Sequence, residues 1–352
     1  MATIVVDAMG NDHGVEPIVK AVATLSLQKR INMILVGDLE KISSILVDVS
    51  YDPSFVQIQH ADSFVAMDEK PQEALQKKSN TSIEVACDLI ANGRGTALVS
   101  AGNTGAVILS ASKKFQRIHR VKKAALASVY PTEMTHGPRK DPFALILDVG
   151  ATLHVKAYDL VVFAVMGSVY AQIISFNPSP KVALLSNGNE EQKGAPEVVE
   201  AHKILRQMKD VYFVGNVEGM DIPKGSVDVI VCEGFMGNVV IKMLEGFFEV
   251  VQNITRDIQS KKLLWRVGMA MLSERLEQIQ NLIDWEEYGG APLLGLDHVV
   301  IKAHGRSGQK AIENSIKVAA KAVEGQLIEK IAKGLETLNW SVFEENKSDS
   351  IH

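Results

Sequence analysis

Seven short apolar runs, TIVVDAMG, NMILVGD, GTALVSAG, FALILDVG, KVALLSNG, DVYFVGN and DVIVCEGF, recur along the chain with helix-length segments between them. Runs this short, apolar throughout rather than alternating, suit strands covered on both faces, and the intervening segments suit crossover helices. The pattern predicts an α/β fold with three αβα layers around a mainly parallel sheet. Most runs end in Gly, Asp, Asn or Ser. Those residues stand at the carboxyl ends of strands, the edge where open α/β sheets bind ligands.

A chain of 352 residues, 46% hydrophobic, can bury one large core or two smaller ones. We expect two lobes with a boundary near residue 150. The first covers 1–150 and is joined by a C-terminal helix over 308–338; the second covers 151–307 and includes a helical hairpin over 239–284; 342–352 form a polar tail. The stretch 130–141, YPTEMTHGPRKD, is rich in Pro, Gly and charge and reads as a loop crossing between lobes. In the C-terminal helix Ile312, Ile316, Ala319, Val323, Leu327 and Ile331 recur near helical spacing.

The formal net charge of -5 argues against a general nucleic-acid binder, so an anionic substrate needs a local positive site. Two isolated cysteines, Cys87 and Cys232, make neither a disulfide framework nor a Cys-based zinc site, which fits a reducing cytoplasm. The N-terminus lacks the pattern of an export signal. No uncharged apolar stretch approaches the roughly 18 residues that span a bilayer, so membrane contact is expected to be peripheral.

Four polar segments at strand ends carry the candidate chemistry. Ser100, Gly102, Asn103, Thr104 and Gly105 join a strand to a helix, where open backbone N–H groups and the helix dipole suit phosphate. The turn is neither GxGxxG nor GxxxxGK[ST], so no nucleotide fingerprint applies. Lys193, in the turn after KVALLS, offers a charge to phosphate or an oxyanion, or is a solvated lysine beside two acids. Asn216, Glu218, Glu233 and Asn238 follow two further strands and suit orientation or proton transfer, or plain helix capping. Cys232 is either an acyl-accepting nucleophile or a small buried hydrophobe. His304, Arg306 and Ser307 bring an imidazole, a guanidinium and a hydroxyl to one strand end; Ser307 also suits a helix cap.

Residues 239–284 read as two amphipathic helices, with Leu244, Phe247, Val251, Ile254 and Ile258 on one face of the first. The tip between them carries Leu263, Leu264, Trp265, Val267 and Met269 beside Lys261, Lys262 and Arg266. Apolar and basic groups together suit a bilayer interface, and equally a dimerisation arm.

Taken as a set, VDAMGNDHG, VSAGNTGA, LDVGA, the EEQKG turn, VGNVEG, CEGFMGN, YGGAPLLG and IKAHGRS resemble the fatty acyl phosphate synthase family, acyl-ACP:phosphate acyltransferases, in order and approximate spacing over nearly the whole chain. That family commonly has Gly where this chain has Asn11, Asn at Thr152, Asp at Glu233 and an acid at Asn189. The resemblance implies a fold like phosphotransacetylases and the isocitrate/isopropylmalate dehydrogenases, a homodimer, and no metal or cofactor. It implies acyl carrier protein and inorganic phosphate as substrates, peripheral association with an anionic membrane, a downstream membrane glycerol-3-phosphate acyltransferase, and no nucleic-acid partner. Transferred onto matching motifs, phosphate binding falls to Asp7, Ser100, Gly102, Asn103, Thr104, Gly105, Asn216, Glu218, Arg306 and Ser307. Catalytic roles fall to Lys193, His304, Asn238 and Glu233. The alternatives are a short-chain phosphotransacetylase acting on acyl-CoA, a non-catalytic membrane-bound scaffold, and a metal- and NAD-dependent dehydrogenase, which would need clustered acidic ligands that the sequence does not display.

Overall fold

The structure, a computed structural model, describes residues 2–29, 31–138, 140–261 and 289–338. The apolar runs become strands β1 (Thr3–Asp7), β2 (Asn32–Gly37), β4 (Ala97–Ser100), β6 (Asp141–Leu147), β7 (Val182–Leu185), β8 (Phe213–Val217) and β9 (Val229–Val231). With β3 (Val56–His60), β5 (Ala125–His136), β10 (Ala291–Leu294) and β11 (Val299–Lys302) they form one sheet, in the order β3-β2-β1-β4-β11-β10-β5-β6-β9-β7-β8. Pairing is parallel except at β11–β10, β10–β5 and β5–β6. Strands drawn from 291–302 therefore stand between β4 and β5, with the four strands of residues 3–100 on one side and the five strands of residues 125–231 on the other.

Helices cover both faces. Successive strand residues face opposite ways: Val6, Val99 and Ile301 join one buried cluster, and Val5, Leu98 and Val300 the other. On the first face lie α1 (Glu16–Gln28), α2 (Leu39–Val47), α6 (Ala157–Ile174), α7 (Pro196–Gln207), α9 (Gln309–Glu324) and α10 (Leu327–Glu336). On the second lie α3 (Pro71–Lys77), α4 (Ser82–Ala91), α5 (Thr104–Lys114) and α8 (Gly234–Lys261). Their starts are written in the sequence: Asp38, Thr81 and Asn103 cap α2, α4 and α5 through their side chains, and Pro opens α1, α3 and α7.

Four expectations are corrected. Residues 130–141 are not a loop, because β5 runs to His136 and turns back at Gly137, where φ is 62°. The polar extension finds backbone partners in another segment: Glu133 N donates to Pro223 O and Met134 N to Lys224 O. The C-terminal helix breaks into α9 and α10 at the left-handed Gln326; a Cβ on the preceding Gly325 would lie 2.4 Å from Ile173 of α6. The apolar face assigned to α8 divides. Leu244 packs on the core with Phe248, whereas Phe247, Val251 and Ile254 are exposed. Finally, α6 has the length and hydropathy of a membrane span, with 83% of its residues buried inside the protein. The tip and second arm of the expected hairpin, including Leu263, Leu264, Trp265, Val267 and Met269, lie outside the described residues.

Candidate active site

The last residues of three adjacent parallel strands form a row. Asp7 of β1 pairs with Ser100 of β4, which pairs with Lys302 of β11. Ser100 Oγ donates to Asp7 Oδ2 at 2.8 Å and accepts from Gly102 N at 3.1 Å. Burial raises the Asp7 pKa, opposed by hydrogen bonds from Ser82, Ser100 and Met9 N and by the charge of Lys302. Lys302 is only 6% exposed, and burial lowers its pKa to about 8 against the pull of Asp7 and Asp12. Its ammonium donates to Ala303 O.

The loops after these strands interlock. Asp12 N donates to Gly305 O, and Asn11 Nδ2 to Ser307 O at 3.0 Å. A Cβ on Gly10 would lie 3.1 Å from Gly102 Cα, so two backbones meet where a side chain would part them. Asn103 is fully committed: Oδ1 accepts from Ala106 N, and Nδ2 donates to the carbonyls of Ala66, Met67 and Glu69. Its side chain thus ties a crossing loop to the start of α5. Thr104 N and Gly105 N find no protein acceptor among the described residues and stay open at the positive end of the helix.

His304 Nδ1 accepts from Arg306 N at 3.2 Å, which puts the proton of the neutral ring on Nε2. Partial desolvation holds the His304 pKa below the ordinary histidine value; Glu245 opposes the shift, and Lys302, Lys242 and Arg306 add to it. Ser307 is buried, and its Oγ has no partner among the described residues. Helix α8 passes over this corner. Asn238, Lys242, Glu245 and Glu249 follow at spacings of four, three and four and so share one face. Glu249 Oε1 lies 3.5 Å from Arg306 Nη1, and Lys242 pairs with Glu245 at 2.6 Å.

A second polar group lies at the carboxyl ends of β6, β9, β7 and β8. Asp148, fully buried, accepts from the backbone N–H of Leu126, Gly150, Ala151 and Thr152 and from Thr152 Oγ1. Gly234 and Gly237 seat α8 on this knot; a Cβ on Gly237 would lie 1.9 Å from Asp148 O. Asn238 follows, exposed, beside Gly150. Glu233 is half-buried just before the helix. Cys232 is 2% exposed and donates to Asp148 O; burial, Asp148 and Glu233 all push its thiol pKa up, which leaves an inert neutral thiol rather than a nucleophile. Lys193 is exposed in its turn, which Asn216 secures by donating to Glu190 O at 2.9 Å. Asn216 Oδ1 also meets His202 Nδ1 at 2.9 Å. Glu218 opens the 3-10 turn Gly219–Asp221.

The residues selected from the sequence therefore fall into two groups. Asp7, Ser100, Gly102, Asn103, Thr104, Gly105, His304, Arg306 and Ser307 gather at β1, β4 and β11; Lys193, Asn216, Glu218, Glu233 and Asn238 gather at β6, β9, β7 and β8. Five strand steps separate β11 from β7, about 24 Å across the sheet. Helix α8 bridges the gap, with Asn238 on one group and Lys242, Glu245 and Glu249 on the other. Sequence reading missed Lys302, Lys242 and Asp148. Among the described residues no cluster of His, Cys, Asp and Glu is placed to hold a metal ion.

The sequence pattern of the family described as fatty acid synthesis protein matches residues 2–330. A phosphate acyltransferase from Pelotomaculum thermopropionicum is 40% identical over 335 residues, 95% of each chain. The chain belongs to the fatty acid synthesis protein family. Another relative, the phosphate acyltransferase of Helicobacter pylori, is 40% identical over 339 residues, 96% of each chain. These relatives make this member of the fatty acid synthesis protein family an enzyme, an acyltransferase that works with phosphate. Its fold resembles that of a phosphotransacetylase from Streptococcus pyogenes, with a TM-score of 0.58 at 16% identity, covering 96% of this chain and 95% of that one. A branched-chain phosphotransacylase from Enterococcus faecalis gives 0.52 at 15% identity over 92% and 100%. At such identities the likeness concerns architecture alone, and it agrees with the α/β class expected from the runs.

Proposed function

We propose that this acyltransferase moves a fatty acyl group from an acyl carrier protein thioester onto inorganic phosphate, releasing free carrier protein and acyl phosphate. The observation that carries the reading is the corner at β1, β4 and β11. Open first-turn amides of α5, the buried Lys302, and His304 with Arg306 and Lys242 around it give an otherwise acidic chain a local anion site. A phosphate oxygen attacks the thioester carbonyl carbon, a tetrahedral oxyanion forms, and its collapse breaks the C–S bond. The departing thiolate, with an ordinary pKa near 8.5, is a fair leaving group, so the protein's work is to hold two reactants and stabilise negative charge. His304 Nε2–H donates to that charge, and Lys193 and Asn238, in the other polar group, hold the donor's carrier arm away from the reacting carbon.

The test is release of carrier thiol from a long-chain acyl carrier protein with and without inorganic phosphate, while acyl phosphate is trapped by hydroxylamine. Matched, phosphate-dependent release is expected. Turnover confined to short acyl-CoA in a chain-length series would move the assignment to a phosphotransacetylase, as the Streptococcus pyogenes protein of similar fold is named. Vesicle binding without thioester cleavage would favour a scaffold. We further propose a homodimer, supported by the exposed apolar stripe of α8, and a cytoplasmic protein held at anionic membranes by the 261–270 tip, where a membrane glycerol-3-phosphate acyltransferase consumes the product. Replacing Leu264 and Trp265 with Asp should abolish vesicle pelleting while soluble turnover persists; undiminished pelleting removes the anchor.

A further inference from the structure

A buried lysine ordinarily reaches a carboxylate or spends its three donors on carbonyls. Lys302 does neither. Among the described residues its ammonium has one acceptor, Ala303 O, and no carboxylate within 4.0 Å. Asp7, the acid on its own row, stands two strands away with Ser100 between, and both Asp7 oxygens already accept, from Met9 N and from Ser100 Oγ. Two ammonium donors are thus buried without a protein partner. Desolvating a cation in this way costs stability unless an anion completes it.

The surroundings say which anion fits. Ser100 is the residue opposite Lys302 in the β4 ladder, and α5 begins four residues after it, with Thr104 N and Gly105 N open. The groups that act on Lys302 are Asp7 and Asp12 from β1 and its loop and Lys242 from α8; His304 feels Lys302, Lys242, Arg306 and Glu245 together. Cys87 of α4 faces Asp7, as a thiol whose pKa burial raises. A compact anion with several acceptor oxygens satisfies both the ammonium and the helix amides; a bulky monoacid would leave one of them open.

We propose that Lys302 is the binding cation for the phosphate nucleophile, so that phosphate, rather than the acyl donor, occupies its open donors. This rests on the phosphate-dependent reading above.

The test measures inorganic phosphate twice, by equilibrium calorimetry without acyl donor and by steady-state kinetics, in wild type, Lys302→Met and Lys302→Arg. Loss of one charge-assisted contact predicts a phosphate KM raised by about 10- to 100-fold in Lys302→Met, with the carrier-protein KM moved less than about 3-fold. Lys302→Arg should recover part of the binding. In wild type kcat/KM for phosphate should fall as pH rises through about 8, where Lys302 loses its proton, and that limb should vanish in Lys302→Arg, whose guanidinium stays charged. Met is near-isosteric with the lysine stem and removes a buried charge, so the fold should persist; a thermal melt checks it. Wild-type phosphate KM and calorimetric binding retained in a folded Lys302→Met would overturn the assignment. Phosphate binding lost in Lys302→Met while the wild type shows no phosphate-dependent thiol release would instead sink the functional reading and leave the anion site standing.

Discussion

Asp148 holds more local structure than any other carboxylate described in the chain. Four backbone N–H groups and a hydroxyl converge on its two oxygens, and the first turn of α8 rests against it. Replacing it with Asn turns one acceptor into a donor facing N–H groups, so Asp148→Asn should lower unfolding stability by about 3 kcal/mol in urea titration; a loss under about 0.5 kcal/mol would show the knot to be redundant. His304 carries a pH consequence of opposite character. Because its folded pKa is depressed, the ring stays neutral through the ordinary histidine range, and activity that depends on Nε2–H with Nδ1 accepting from Arg306 N should hold as pH drops to 6.5 and fail only below it. An acid limb of kcat/KM at or above 6.5 that disappears in His304→Gln would contradict this. At this scale the sequence was readable where a motif ended a strand, as at Ser100 or His304. It was not readable at Lys302, because the lysine of VVIKA is seen beside Asp7 and Ser100 only once β11 is known to pair with β4. Asn103 shows the converse: its type and position suit phosphate, yet its amide is occupied by three carbonyls from a distant loop.

Among elements, α8 depends most on two small residues. Gly234 and Gly237 let its first turn touch the Asp148 segment, and a methyl at 237 has no room. Gly237→Ala should lower the melting temperature through an overpacking cost of about 1–3 kcal/mol, and should weaken turnover more than Gly246→Ala, where a Cβ meets nothing within 4 Å. Equal effects at both positions would mean that the seat is not constrained. Strands were legible because their burial on both faces makes the apolar runs continuous. The errors lay where tertiary partners override local chemistry: Pro223 and Lys224 recruit a polar stretch into β5, and Ile173 and Gln326 together break a helix whose spacing runs on unbroken.

At the scale of the whole molecule, a run of exposed apolar side chains among the described residues follows the outer face of α8, where Val239, Met243, Phe247, Val250 and Ile254 are each more than 50% exposed. A contiguous apolar stripe of this kind ordinarily meets a partner. Met243→Asp with Phe247→Asp should halve the mass seen by sedimentation velocity if two copies meet there, and an unchanged sedimentation coefficient would place the contact elsewhere. The same helix links two chemistries that the sheet keeps about 24 Å apart. It is seated at Gly237 and reaches Glu249 twelve residues on, about 18 Å along its axis. A tilt of about 10° at that seat swings Glu249 by about 3 Å while Asn238 scarcely shifts. A load on the outer stripe would therefore act as on a crank: the Asp148 seat is the pivot, and the corner at β1, β4 and β11, through Glu249 and Arg306, takes the stroke.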